Sequence, residues 1–306
     1  MGTSDLSEAI LESLINNEYN LVGVFTKPDT KVGRKQEIVE PLVKKMAKAK
    51  NIPVFQPAKF KDEGTQALKE LAPDLVIVAA YGKIIPEVAL EIPKFGFINV
   101  HVSILPKYRG ASPIQNALLA GEKETGVTIM LMDQGIDTGD ILAQEITPIE
   151  DQDTTESLMA RMAGVGANLL IKTLPNWIEG GIDAKKQDHE LATFCKLISR
   201  EDGKISWTDS AEKIQNQFRA MTPWPGVFTF WKNGSKLVRL KLNSISKTDS
   251  NKDHQMGEVF QIGNEVAVQT GEGAIILREI QKEGKKSSDL KSFINGHKNF
   301  IGSILQ

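Results

Sequence analysis

Three residues able to do acyl-transfer chemistry fall within thirty-nine positions of one another: Asn99, His101 and Asp137. Asn99 and His101 interrupt the apolar run Phe97–His101 two positions apart, so on a strand both side chains leave the same face. An amide donor and a titratable imidazole thus stand where a buried strand would carry apolar residues. Asp137 lies in the glycine-flanked loop Gln134-Gly135-Ile136-Asp137-Thr138-Gly139. When an amine attacks an acyl carbon, negative charge builds on the acyl oxygen and positive charge on the nitrogen. Asn99 and a protonated His101 can donate to that oxygen. Asp137 can take the ammonium proton, directly or through water. On spacing alone, a satisfied polar pair at a strand end accounts for Asn99 and His101 equally well.

Other chemistries lack their residues. The chain has no G-x-G-x-x-G, no P-loop and no H-E-x-x-H, and its four histidines are scattered, so no metal site is expected. Its one cysteine, Cys195, excludes an internal disulfide and any multi-cysteine zinc site. No apolar run approaches the roughly 18–20 residues that span a bilayer, and no signal peptide opens the chain; no membrane partner and a cytoplasmic location are expected.

The elements around these residues alternate. Helix is expected over 4–16, 39–50, 64–71 and 86–91, and strand over 21–26, 52–55, 74–80 and 96–101. This order implies an α/β fold with a doubly wound, mostly parallel sheet. Such a sheet ordinarily opens on a strand, whereas Met1-Gly2-Thr3 leads straight into a helix. The first strand is therefore expected to be missing, with roughly ten residues upstream of Met1 and unpaired edges beside the gap. A strand over 140–149 and a helix over 155–178 complete a domain of residues 1–181. Residues 182–203 lack a clean period and read as a linker. Residues 204–306 carry a short helix and several short strands separated by turns, the pattern of a small β-barrel or sandwich.

Charge is unevenly spread. From Asp202 onward twelve Lys and three Arg face five Asp and six Glu, a net +4, which leaves −6 on residues 1–201. A basic segment on an acidic body suggests a polyanionic partner, although surplus lysines also serve as a solvated face. The loop 27–35 adds Lys27, Lys31, Arg34 and Lys35 near the carboxyl ends of the strands, where α/β sheets bind ligands.

The stretch N-V-H-V-S-I-L-P-K-Y-R-G at 99–110, followed by I-D-T-G at 136–139, resembles the folate-dependent formyltransferases. The resemblance implies a Rossmann-like formyltransferase domain in which Asn99, His101 and Asp137 are catalytic. It also implies a 10-formyltetrahydrofolate site shaped by Ser103, Ile104, Leu105 and Pro106, with Tyr81, Gly82 and Ile84 lining the pterin pocket. Further stretches, V-F-T-K-P-D at 24–29, P-V-F-Q-P at 53–57, R-G-A-S-P-I-Q at 109–115, E-T-G-V-T-I-M at 124–130 and R-A-M-T-P-W-P-G at 219–226, match the branch that formylates the α-amine of methionyl-initiator tRNA. In that branch the basic loop with Lys27, Lys31, Arg34 and Lys35 meets the tRNA acceptor end, and an OB-like C-terminal barrel tracks the tRNA backbone. The enzyme is expected to act as a monomer. Two alternatives remain open: a formyltransferase for another amine, such as glycinamide ribonucleotide or an amino sugar, and a non-catalytic tRNA- or folate-binding protein.

Overall fold

A computed structural model of the chain describes residues 1–32, 36–250 and 253–306. The chain forms two compact units, residues 1–114, 123–149 and 157–197 in one and residues 115–122, 150–156 and 198–306 in the other.

The first unit opens with helix Asp5–Asn16 (α1), which buries Leu6, Ile10, Leu11 and Leu14 on one face as its spacing predicts. Strand Val24–Phe25 (β1) follows, then an unexpected antiparallel hairpin of Thr30–Val32 (β2) and Glu37–Val39 (β3). The helix expected over 39–50 starts only at Leu42 (α2, Leu42–Ala49). Pro41 holds Glu40 away from helical backbone and so sets that boundary. Then come Val54–Phe55 (β4), Thr65–Leu71 (α3), Val76–Val78 (β5), Glu87–Leu90 (α4) and Phe97–His101 (β6). The unit continues through Arg109–Gly110 (β7), Pro113–Ala120 (α5, most of which clusters with the second unit), Glu124–Leu131 (β8), Ile141–Pro148 (β9), Thr155–Ile178 (α6) and Phe194–Cys195 (β10).

The sheet is mixed, which corrects the expectation of a mostly parallel one. β1 pairs β4 and β5 pairs β6 in parallel, whereas β8 runs antiparallel to both β6 and β9. Only nine residues join β8 to β9, too few for the crossover a parallel pair requires. Along β6, Phe97, Asn99 and His101 share one face, and Ile98 and Val100 the other. On that second face Gly166 of α6 comes up against Val100, so the helix covers the side away from Asn99 and His101.

Among the described residues no strand lies between β1 and β5. Met1 and Gly2 bridge the gap: Gly2 N–H donates to Phe25 O at 2.9 Å, Ala79 N–H to Met1 O at 3.0 Å, and the Met1 amine to Ile77 O at 2.6 Å. Ser7, buried in the first turn of α1, accepts from Thr3 N–H at 2.8 Å and donates to Ala79 O at 2.6 Å, pinning this entry to the sheet. A cavity of about 330 Å³ opens at the amino ends of β1 and β5, lined by Ile10, Leu14, Phe25, Ile77 and Leu174 among others.

In the second unit, helix Ala211–Met221 (α7) is capped by Ser210, whose hydroxyl accepts from Lys213 N–H at 3.2 Å. A curled antiparallel sheet follows: Val227–Asn233 (β11), Lys236–Thr248 (β12), Val259–Ile262 (β13), Glu265–Gln269 (β14), Ala274–Lys282 (β15) and Ser288–Asp289 (β16). The strand order is β11-β12-β15-β14-β13, with β16 on β15. Helix Leu290–Gly296 (α8) brings Phe293 to Trp231, and with Phe300 the rings pack edge to face at 5.8 and 5.3 Å.

Candidate active site

β6 ends at His101, and the chain then turns through residues 102–108 into β7. Asp137 sits in the loop between β8 and β9 with φ of 52°. The three residues meet as their types suggest. Asn99 Nδ2 donates to Asp137 Oδ1 at 3.3 Å, and His101 Nδ1 stands 3.6 Å from Asp137 Oδ2, just beyond a hydrogen bond. His101 is 6% exposed. Its Nε2 lies 3.0 Å from Tyr108 O; a carbonyl only accepts, so Nε2 carries the proton.

Residues that the sequence did not mark complete the cluster. Gly110 N–H donates to Asp137 Oδ2 at 2.8 Å. Gln187 Nε2 donates to the carbonyls of Asp137 at 2.9 Å and Gly139 at 2.7 Å, bracing the acid loop from behind. Gln187 Oε1 accepts in turn from Arg109 Nε at 3.1 Å and from its terminal nitrogen at 2.6 Å, and that nitrogen also meets His189 Nδ1 at 3.1 Å. β10 pairs parallel with β7, and a Cβ on Gly110 would lie 2.4 Å from Cys195 O. Burial pushes the Cys195 thiol up, and its Sγ donates to the Arg109 carbonyl at 3.2 Å, so this cysteine is a packing residue. Residues 182–197, read as linker from sequence, thus cluster with the first unit and back its site.

The residues expected at a folate site divide by exposure. Ser103 is fully buried and donates to Lys107 O at 2.7 Å, while Leu105 is buried with its N–H donating to Thr128 Oγ1 at 3.2 Å. Gln144 Nε2 donates to Leu105 O at 2.9 Å. These contacts fix the turn from within and leave Ile104 and Pro106 partly exposed. Tyr81 is buried among Phe25, Phe60 and Leu68; its hydroxyl has no partner among the described residues, and burial raises its phenol to about 12. Gly82 and Ile84 are exposed, Ile84 to 91%.

Of the basic residues, Lys27 and Lys31 are exposed, and Lys27 Nζ lies 3.2 Å from where a Cβ on Gly82 would stand. Arg34 and Lys35 fall outside the described residues. The β2–β3 hairpin is anchored at its base by Lys44, which binds Asp29 at 2.7 Å and Glu40 at 3.1 Å. Gln56 and Lys44 hold the Asp29 carboxyl below the usual range, and Asp29 in turn raises Lys44.

Among the described residues no group of three or more His, Cys, Asp or Glu could hold a metal ion, and no helix is long and apolar enough to cross a membrane. The donor set suits an acyl oxygen. The Asn99 amide keeps a second N–H beyond its bond to Asp137.

Comparison with known proteins shows the relatives of this chain. Residues 1–174 match the formyl transferase family model and residues 197–298 that of the formyl transferase C-terminal domain. Methionyl-tRNA formyltransferases from Caldicellulosiruptor saccharolyticus and Halalkalibacterium halodurans are each 43% identical to this chain across its whole length, covering 98% and 96% of their own. Among solved structures, the N-formyltransferase from Helicobacter canadensis, in complex with folinic acid and dTDP-3-aminofucose, superposes with a TM-score of 0.66 at 24% identity, covering 92% of this chain and 97% of its own. At that identity the likeness speaks to the fold. With both of its parts matched along nearly their full length, the chain belongs to the formyl transferase family.

Proposed function

We infer that the chain transfers a formyl group from 10-formyltetrahydrofolate to the α-amine of methionyl-initiator tRNA, supplying formylated initiator for translation. The carrying observation is Asp137, held by Asn99 and Gly110 beside His101 at the end of β6, in a chain alignable end to end with methionyl-tRNA formyltransferases. The sugar formyltransferases match at 23–24% identity, well below the 43% of the methionyl-tRNA formyltransferases, which favours the tRNA substrate over an amino sugar.

When bound, the folate supplies an activated formyl carbon. Asn99 donates its free amide N–H toward the formyl oxygen as that oxygen gains charge, and His101 adds a second polar group on the same face. Asp137 accepts the proton that the attacking amine must lose. Gly110 and Gln187 keep the carboxylate and its loop in place, so little reorganisation remains during the reaction. Ile104 and Pro106 line the folate with Gly82 and Ile84, while Ser103, Leu105 and Tyr81 support that wall from inside. Lys27, Lys31, Arg34 and Lys35 meet the tRNA acceptor end, and the C-terminal sheet, read as OB-like, follows the tRNA backbone. The enzyme works as a monomer in the cytoplasm.

The test is formyl transfer from 10-formyltetrahydrofolate to methionyl-tRNA, run beside glycinamide ribonucleotide and an amino sugar. Faster turnover of either small amine than of the tRNA would overturn the assignment.

A further inference from the structure

The curled sheet of the second unit carries a depression of about 300 Å³ where β11 begins, walled by Arg200, Trp224, Gly226, Phe228, Arg239 and Lys241. Cations and rings interleave there because of register. Phe228 pairs with Lys241 and Phe230 with Arg239 across β11 and β12, and residues two apart share a face. The Arg239 guanidinium stacks 3.6 Å from the Phe228 ring centre, and Lys204 Nζ lies 5.6 Å from that of Phe230. Gly226, at φ of +76°, admits the Lys241 side chain: a Cβ there would lie 2.3 Å from Cε and 2.8 Å from Nζ.

Two features are left over by folding. Trp224 is 54% exposed, whereas Trp207 and Trp231 are buried. Among the described residues, neither Arg200, Arg239 nor Lys241 forms an ion pair, and a single carboxylate, Glu283, stands on the rim against these three cations. An exposed indole beside an excess of positive charge suits a ligand with a flat apolar face and attached negative charge. A nucleotide within a polynucleotide has both. A lipid headgroup carries the charge without the flat face.

We propose that this depression is a nucleotide clamp on the tRNA, in which Trp224 stacks on an unpaired base while Arg239, Lys241 and Arg200 hold the flanking phosphates. The clamp rests on the reading of tRNA as substrate and names the residues of the second unit that grip it. Arg239 is pre-oriented by Phe228, so its planar head meets a phosphate with little side-chain freedom left to lose.

The experiment measures dissociation constants for methionyl-tRNA over a series of salt concentrations, by quenching of tryptophan emission and by filter retention, alongside formyl transfer. Trp224→Ala, at an exposed position, should raise the dissociation constant roughly tenfold or more and abolish most of the quenching. Arg239→Gln with Lys241→Gln should flatten the log–log salt dependence by about two. Wild-type affinity, quenching and slope in both variants, with formyl transfer to methionyl-tRNA intact in the parent, would overturn the clamp and leave the function standing. A parent chain that neither binds nor formylates methionyl-tRNA would overturn the function and the clamp together.

Discussion

The backbone N–H of Gly110 donates to Oδ2 of Asp137 across 2.8 Å, so the orientation of the acid depends on a residue with no side chain. β7 is held in turn by β10, with the Gly110 Cα facing Cys195 O. Gly110→Ala should therefore disable the site without removing a functional group. At φ of +115° an added Cβ is strained and would collide with Cys195 O. Turnover should fall at least tenfold while circular dichroism reports a folded chain; near-parental kcat would show that Asp137 does not need this bond.

If Asn99 serves as proposed, Asn99→Ala should lower kcat by roughly 10²–10³, the usual effect of losing one oxyanion donor. His101→Ala and Asp137→Ala should each lower turnover by orders of magnitude with the fold retained. Single-turnover formylation at saturating methionyl-tRNA separates chemistry from binding. A change confined to KM would assign these residues to substrate capture instead.

The cluster of Asn99, His101 and Asp137 was legible because a strand has a period of two: Asn99 and His101 break an apolar run on one face only, and glycines mark the Asp137 loop. The supports of that loop were not. Gln187 lies fifty positions beyond Asp137 in a segment without periodicity, and only the folded chain shows its amide against Asp137 O. β8 escaped for a different reason: it is buried along almost its whole length, so no alternation announces it. Its antiparallel direction made the sheet mixed. The bonds of Met1 and Gly2 to β1 and β5 were not legible either, because they join residues far apart in sequence.

Gln187 offers a test of positioning as distinct from chemistry. Gln187→Leu removes the donor to Asp137 O and Gly139 O and leaves Arg109 Nε without its acceptor. kcat should fall by ten- to a hundredfold, with KM for the folate nearly constant. Gln187→Glu, which keeps an acceptor for Arg109 but loses the amide donor, should restore stability more than turnover. Equal recovery of both would make the residue merely structural.

The hairpin should be separable from the site. Lys44→Ala frees Asp29 and Glu40 from their shared cation and loosens the base of β2 and β3, which present Lys31. Use of methionyl-tRNA should weaken several-fold, and added salt should then cost the variant less than the parent, because part of the electrostatic grip is already lost. An unchanged KM for methionyl-tRNA would return the hairpin to the solvated surface.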